Sequence, residues 1–342
     1  MRTLRFGKTG LRVSELALGS WRFGSDADEE TSFAQLDLFR ERGGNFIDSA
    51  DVYGGGRAEE IVGSWLTSRG ARDEFVVATK AWGRTGPGPN DFGSSRKHIV
   101  SAIDASLRRL QTDYVDLYFV HAWDPGVQLE ETLSTLDGLV RAGKVLHLGA
   151  SNFLGWQLMQ AWGLCRIHGW ERFVTVQNEY NLLSRASELE VLPACRETGL
   201  VLFPWSPLGG GWLTGKYRRA AAAPPAGTRV ADWLESWQPD SWDQRANERT
   251  WAVIDELVGV AEARGVSPSQ VALNWVRAKP DVVAPIVGAR TLEQLADNLA
   301  SVEWELEPAE VAALNRASDV SAGSLYEFVA AMERAQGRQA AS

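Results

Sequence analysis

The residues Asp116-Leu-Tyr-Phe-Val120 form a short stretch that is almost continuously apolar. Continuous apolarity, rather than alternation, is typical of a strand that is buried on both faces, as in a parallel sheet. Longer amphipathic stretches separate this run from seven similar ones. The eight runs are Glu15–Gly19, Asn45–Asp48, Phe75–Thr79, Asp116–Val120, Val145–Gly149, Phe173–Gln177, Leu200–Phe203 and Val282–Val287.

The stretches between the runs carry apolar residues at three- and four-residue spacing, which is the pattern of a helix with one buried face. In Lys97–Leu110, for example, Ile99, Ile103 and Leu107 recur at this spacing. The same pattern occurs in Thr31–Arg42, Glu130–Ala142 and Trp251–Arg264. Eight strand–helix units over about 300 residues predict a (β/α)8 barrel, the TIM-barrel fold of the α/β class.

An open, doubly wound sheet is the alternative to a barrel. Such a sheet usually carries the motif GxGxxG after its first strand, whereas the turn here reads Gly19-Ser-Trp-Arg-Phe-Gly24. Ahead of the first run, Leu4–Phe6 and Leu11–Val13 flank a polar turn and predict an N-terminal β-hairpin. We expect this hairpin to cover the floor of the barrel.

A long irregular stretch, Tyr217–Glu248, follows the seventh run. A loop of this length is either functional or disordered, and its tryptophans favour a functional lid. These tryptophans are Trp233, Trp237 and Trp242. No linker divides the chain, so we expect a single domain over residues 1–342, with a core at about 4–320 and a tail at 321–342.

The composition of the 342 residues excludes several classes of protein. A net charge of −9 would repel a polyanion, which argues against nucleic acid as a partner. No signal peptide and no apolar run long enough to span a membrane occurs. The two cysteines form neither a disulfide framework nor a metal motif, so we expect no metal. These features predict a cytoplasmic protein, and they leave a homo-oligomer open.

Reactive side chains follow three of the predicted strands. The active site of a (β/α)8 barrel lies at the C-terminal ends of its strands. Asp48 ends the second run and Tyr53 follows it, Lys80 follows the third run, and His121 follows the fourth. Each residue alone has an ordinary structural interpretation, such as a helix cap for Asp48. Together they place a carboxylate, a phenol, an amine and an imidazole on one face, which favours a catalytic group.

This combination suits the reduction of a carbonyl group. Hydride delivery builds negative charge on the carbonyl oxygen, which then takes up a proton. Tyr53 is the expected acid, and we expect the Lys80 ammonium to lower the pKa of Tyr53 by stabilising the phenolate. Asp48 would hold Lys80 in place, and a neutral His121 would orient the carbonyl oxygen.

The loop Asp48-Ser-Ala-x-x-Tyr53-Gly resembles the signature of the aldo-keto reductase superfamily. Asp48, Tyr53, Lys80 and His121 are similar in order and spacing to the catalytic tetrad of that family. Trp205, in place of a tyrosine, resembles the branch near potassium-channel β-subunits and bacterial general-stress reductases. The resemblance covers nearly the whole chain, and it implies a barrel that reduces carbonyl groups with NADP(H).

By the same resemblance, NADP(H) would lie extended across the mouth of the barrel. Ser151, Asn152 and Gln177 would hold the nicotinamide carboxamide, and Trp205 would stack on its ring. Arg290 offers a fork for the 2′-phosphate, which favours NADP over NAD. The expected cofactor contacts are Gly19, Trp21, Ser151, Asn152, Gln177, Trp205, Ser206, Leu208, Gly210, Lys216, Gly288, Arg290, Gln294 and Asn298.

The chain contains 15 tryptophans, and several follow predicted strands. Aromatic rings at strand ends form a roomy pocket wall that suits sugars, polyketides or aryl aldehydes. The expected walls of the substrate pocket are Trp21, Trp82, Trp123 and Trp212. Packing between loops is the alternative role for each of these rings.

Three functions are compatible with these observations. The first is an NADPH-dependent oxidoreductase that reduces a small-molecule aldehyde or ketone, with Tyr53 as the general acid. The second is a sugar ketoreductase or a 2,3-enoyl reductase in a sugar pathway. The third is a non-catalytic subunit that senses NADPH while bound to a partner protein. The sequence leaves the natural substrate, the direction of the reaction and the oligomeric state open.

Overall fold

The computed structural model describes residues 1–232, 241–320 and 323–336. A β-hairpin, β1 (Thr3–Arg5) and β2 (Arg12–Ser14), opens the chain. Behind it, Phe6 is fully buried, with its ring 5.6 Å from Phe46 and 6.1 Å from Phe203. These rings belong to an apolar cluster inside the barrel, so the predicted hairpin over the barrel floor is confirmed.

Eight parallel strands form the barrel, and each hydrogen-bonds to the strands beside it in chain order. The ring closes between the seventh and eighth units, where the Val283 amide donates to the Leu202 carbonyl at 2.9 Å. The predicted fold is therefore confirmed. The strands are β3 (Ala17–Gly19), β4 (Phe46–Asp48), β5 (Val76–Ala81), β6 (Val115–Val120), β7 (Val145–Ser151), β8 (Phe173–Gln177), β9 (Val201–Leu202) and β10 (Ile286–Val287).

The eighth predicted strand, Val282–Val287, is shorter than its apolarity indicates. Only Ile286 and Val287 pair with β3. Ala284 adopts a left-handed backbone conformation with φ of 51°, and Pro285 has no amide hydrogen to donate. These two residues interrupt the ladder, although Val282 still forms an isolated bridge to Leu202.

Helices surround the barrel. Those at predicted positions start and end within three residues of the predicted bounds, and α1 is capped by the Asp28 side chain, which accepts from the Thr31 amide at 2.8 Å. The helices are α1 (Glu29–Glu41), α2 (Arg57–Arg69), α3 (Arg96–Leu110), α4 (Leu129–Arg141), α5 (Gly155–His168), α6 (Val191–Thr198), α7 (Arg229–Asp232), α8 (Trp242–Arg245), α9 (Glu248–Arg264), α10 (Pro268–Arg277), α11 (Leu292–Ala300), α12 (Pro308–Ala317) and α13 (Ser324–Ala335).

The long stretch after β9 contains the short helices α7 and α8. Trp242 of α8 is buried against Trp212 and Trp251, so this tryptophan packs in the core. Trp233 and Trp237, also predicted to belong to a lid, lie outside the described residues. No helix in the described ranges is long and apolar enough to cross a membrane.

Candidate active site

Strands β4, β5 and β6 bring the predicted catalytic residues together. Lys80 Nζ lies 2.8 Å from both carboxylate oxygens of Asp48, 2.6 Å from the Ser49 carbonyl oxygen and 3.5 Å from the Tyr53 hydroxyl. The His121 ring meets the Tyr53 ring edge to face, with 6.0 Å between their centroids. The tertiary structure therefore gathers all four side chains at one end of the barrel.

A run of three glycines allows Tyr53 to face the barrel mouth. Tyr53 begins a tight helical turn, Tyr53–Gly56, in which Gly54 and Gly55 have φ of 58° and 65°. Residues with a Cβ rarely adopt this left-handed conformation. At Gly56 a Cβ would also lie only 2.8 Å from Arg109 Cδ. The glycines thus let the chain turn sharply after Tyr53 and enter α2.

Lys80 is a fully buried cation with a complete set of partners. Burial alone would lower the pKa of Lys80, but Asp48 and Tyr53 outweigh this, and the pKa of Lys80 stands above its ordinary value. Gln177 Nε2 also donates to Asp48 at 2.8 Å. Because three hydrogen bonds converge on the Asp48 carboxylate, the pair is held as an ion pair behind Tyr53.

Burial changes the expected acidity of Tyr53 and His121. We expected Lys80 to lower the pKa of Tyr53, but burial raises this pKa more than the Lys80 ammonium lowers it. The ammonium acts in the expected direction, but the net pKa of Tyr53 is raised because desolvation disfavours the phenolate. Burial also lowers the pKa of His121 to about 3, so the imidazole is neutral at neutral pH.

A cavity of about 710 Å³ opens beside the tetrad. Asp48, Tyr53 and His121 line it, whereas Lys80 lies fully buried behind them. Every residue that we expected to contact the cofactor also lines this cavity. These residues are Gly19, Trp21, Ser151, Asn152, Gln177, Trp205, Ser206, Leu208, Gly210, Lys216, Gly288, Arg290, Gln294 and Asn298.

Asn152 connects three elements beside the tetrad. Its Nδ2 donates to the His121 carbonyl oxygen at 2.8 Å, and its Oδ1 accepts from Trp205 Nε1 at 3.1 Å. Asn152 follows β7 with a φ of 57°, a conformation that asparagine tolerates better than most residues. These bonds fix the orientation of an amide that faces the cavity.

Among the described residues, four cations line the cavity: Arg22, Lys216, Arg229 and Arg290. Burial and the three guanidinium groups lower the pKa of Lys216. The Trp21 ring lies 4.5 Å from each of the Arg22 and Arg229 guanidinium carbons. Arg22 and Arg229 were not among the predicted site residues, because no local motif marks an arginine beside a strand end or within an irregular loop.

The expected substrate walls are only partly placed at the cavity. Trp21 lines it and is 38% exposed. Trp212 is fully buried, with its ring 4.7 Å from Tyr217 and 5.2 Å from Trp242, so its assignment to the substrate pocket is wrong. Apolar neighbours enclose this ring and remove it from the mouth.

The other two expected wall residues are half-buried in loops. Trp123 packs edge to face against Phe153 and Trp156, at 5.4 Å from each. Neither Trp123 nor Trp82 is among the described residues that line the cavity. Trp123 therefore packs against the loop after β7 and the first turn of α5.

Comparison with known proteins identifies the family of the chain. The model of the aldo/keto reductase family matches residues 15–319. The chain belongs to the aldo/keto reductase family. It is 39% identical to the uncharacterized oxidoreductase YrpG of Bacillus subtilis over 320 residues, covering 90% of this chain and 93% of that protein. The predicted family is confirmed, and membership supports a carbonyl-reducing oxidoreductase.

Two further relatives have different names and come from different organisms. The norsolorinic acid reductase stcV of Emericella nidulans is 38% identical, with 88% of this chain and 77% of that protein covered. A probable voltage-gated potassium channel subunit beta of Arabidopsis thaliana is 36% identical, with 89% and 92% covered. The predicted position near the channel subunits agrees with the second relative.

Proposed function

We propose that this chain reduces an aldehyde or a ketone to the alcohol with NADPH, and that Tyr53 donates the proton. The observation that carries the proposal is the arrangement of Tyr53, Lys80 and Asp48, in which Lys80 lies buried behind the two cavity-lining residues. Tyr53 faces the cavity, and its hydroxyl lies 3.5 Å from Lys80 Nζ. Lys80 is in turn held by both oxygens of Asp48. A phenol next to a buried ammonium suits proton donation to an alkoxide.

The cavity fits a nicotinamide dinucleotide. Side-chain amides of Asn152 and Gln177 lie next to the tetrad, where a carboxamide needs donors and acceptors. The cations that line the cavity suit phosphate groups, and Arg290 would pair with a 2′-phosphate. The N-terminus of α11, capped by Thr291, adds backbone amides next to Arg290. When bound, the cofactor supplies the hydride.

The protein groups provide the proton and stabilise the charge. With a pKa above its ordinary value, Tyr53 carries its proton at neutral pH and is ready to donate it. The Lys80 ammonium then stabilises the phenolate, and Asp48 keeps the ammonium in place. A neutral His121 offers one ring N–H to the carbonyl oxygen, which orients the substrate and favours the growing negative charge.

The test separates cofactor binding from turnover. Quenching of tryptophan fluorescence would follow NADPH binding, and loss of nicotinamide absorbance would follow reduction of aryl aldehydes, aryl ketones and keto sugars. We expect Tyr53→Phe to keep NADPH affinity within about twofold and to lose roughly 10²- to 10⁴-fold in turnover. Tyr114→Phe, outside the cavity lining, is the matched control. Turnover by Tyr53→Phe at the wild-type rate would exclude Tyr53 as the acid.

A second candidate is an NADPH-sensing subunit that binds a partner protein. The observation in its favour is the exposed apolar face of α13, where Leu325 and Phe328 are 68% and 63% exposed. A channel subunit among the relatives points the same way. Tight NADPH binding without turnover of any carbonyl compound would support this candidate. Sugar ketoreduction would appear as turnover of the keto sugars in the panel, and 2,3-enoyl reduction would appear as turnover of a 2,3-enoyl sugar added to it.

A further inference from the structure

The loop between β3 and α1 brings a carboxylate to two of the cations that line the cavity. Asp26 Oδ2 lies 3.3 Å from Arg290 Nε and also forms an ion pair with Arg22. Both arginines line the cavity. The Arg290 Nη1 additionally donates to the Gly227 carbonyl oxygen at 2.7 Å. Asp26 therefore already pairs with two of the arginines that would receive a phosphate group.

The charges around this point explain why a carboxylate is stable there. Three guanidinium groups surround Lys216 closely enough to lower its pKa. Like charges at such distances repel, and a nearby anion relieves the repulsion. Two carboxylates that line the cavity are engaged elsewhere. Asp48 pairs with Lys80, and Asp297 accepts hydrogen bonds from Ser267 and Gln270 at 2.7 and 2.6 Å.

We infer that Asp26 is an internal counter-ion that a 2′-phosphate replaces at Arg290, and that Asp26 thereby limits the preference of the chain for NADP(H) over NAD(H). This inference rests on the proposed function. A 2′-phosphate would have to displace Asp26 from Arg290, and the negative charge of Asp26 would repel it. The 2′-hydroxyl of NAD(H) carries no charge and makes no such demand on Arg290.

The exposure of Asp26 sets the scale of the effect. Its side chain is 37% exposed, so solvent and salt screen its charge. We expect Asp26→Asn to tighten NADP⁺ binding roughly three- to tenfold at low salt, and the gain to shrink as salt rises. Binding of NAD⁺ should change less than about twofold, because its ribose brings no phosphate to Arg290.

Isothermal titration calorimetry with NADP⁺ and NAD⁺ measures both affinities without any turnover. The variants are Asp26→Asn, Asp26→Glu and Glu30→Gln. Asp26→Glu keeps the charge and should keep the wild-type ratio of affinities. Glu30 is exposed in the first turn of α1, so Glu30→Gln removes the same charge from the surface and should leave the ratio unchanged. Circular dichroism establishes that each variant is folded.

Each other outcome overturns the inference in a distinct way. Asp26→Asn could tighten the binding of NADP⁺ and NAD⁺ equally, or Glu30→Gln could change the ratio of the two affinities as much as Asp26→Asn does. Either result would mean that the net charge of the protein sets the affinity and that the contact of Asp26 with Arg290 does not. Weaker NADP⁺ binding by Asp26→Asn would mean that Asp26 orders the loop for binding. Failure of the unmodified chain to bind either nucleotide would refute the proposed function itself, and the inference with it.

Discussion

Asp51 is a buried carboxyl whose ionisation should control stability. It lies between Asp48 and Tyr53 and is 2% exposed, and neither of its oxygens has a hydrogen-bond partner within the described part of the chain. Glu59, also fully buried, pairs with Arg109 at 2.6 Å and accepts from Thr79 at 2.5 Å. Burial, and then the charge of Glu59, raises the pKa of Asp51 from 3.8 to about 7.

The sign and size of the effect follow from this pKa. Well below pH 3.8, Asp51 is protonated in both the folded and the unfolded chain. As pH rises from about 4 to 7, the unfolded chain loses the proton first, and the folded state loses stability. The difference between the two pKa values, 3.8 and about 7, corresponds to a loss of about 4 kcal/mol in the free energy of unfolding. Relaxation around the charge reduces this figure, so we expect Asp51→Asn to be more stable than the wild type by about 2 to 4 kcal/mol at pH 8.

Guanidinium chloride unfolding, followed by tryptophan fluorescence, measures this difference. At pH 4 the wild type and Asp51→Asn should agree within about 1 kcal/mol, since asparagine resembles the protonated carboxyl. The control is Asp73→Asn, which removes an exposed carboxylate whose charge is screened by solvent and should change the free energy of unfolding little. A gap that is the same at pH 4 and pH 8, or a less stable Asp51→Asn at pH 8, would refute the reasoning.

Two further predictions follow from burial. With the pKa of His121 lowered to about 3, its imidazole ¹⁵N signals should not titrate between pH 8 and 5. His121→Asn identifies those signals, and a midpoint near 6.5 would contradict the burial argument. Trp212→Ala should reduce the free energy of unfolding by about 3 to 5 kcal/mol, because it empties a packed site. In the variant that remains folded, KM for the carbonyl substrate should stay within about twofold of the wild-type value. A larger change would indicate that Trp212 does line the substrate pocket.

Much of the barrel and the tetrad followed from local sequence patterns. A strand such as Asp116–Val120 and a helix such as Lys97–Leu110 are indicated by the pattern of residues adjacent in the chain. That pattern can be read directly from the sequence. The tetrad residues lie at strand ends, so a correct order of strands also placed Asp48 and Lys80 on one face. The strand ending at Val287 was overestimated, because Ala284 and Pro285 interrupt its ladder and apolarity does not reveal this.

The surroundings of individual side chains were decided by the tertiary structure. Trp21 and Trp212 both follow barrel strands, yet Trp21 is 38% exposed and Trp212 is fully buried. The sequence determined the barrel, the four reactive groups and the family, since each rests on local order and spacing. The raised pKa of Tyr53 and the ion pair between Asp26 and Arg290 depend on the tertiary structure alone. Solvent exclusion and charge contacts depend on segments that are distant in the chain, and their packing brings them together.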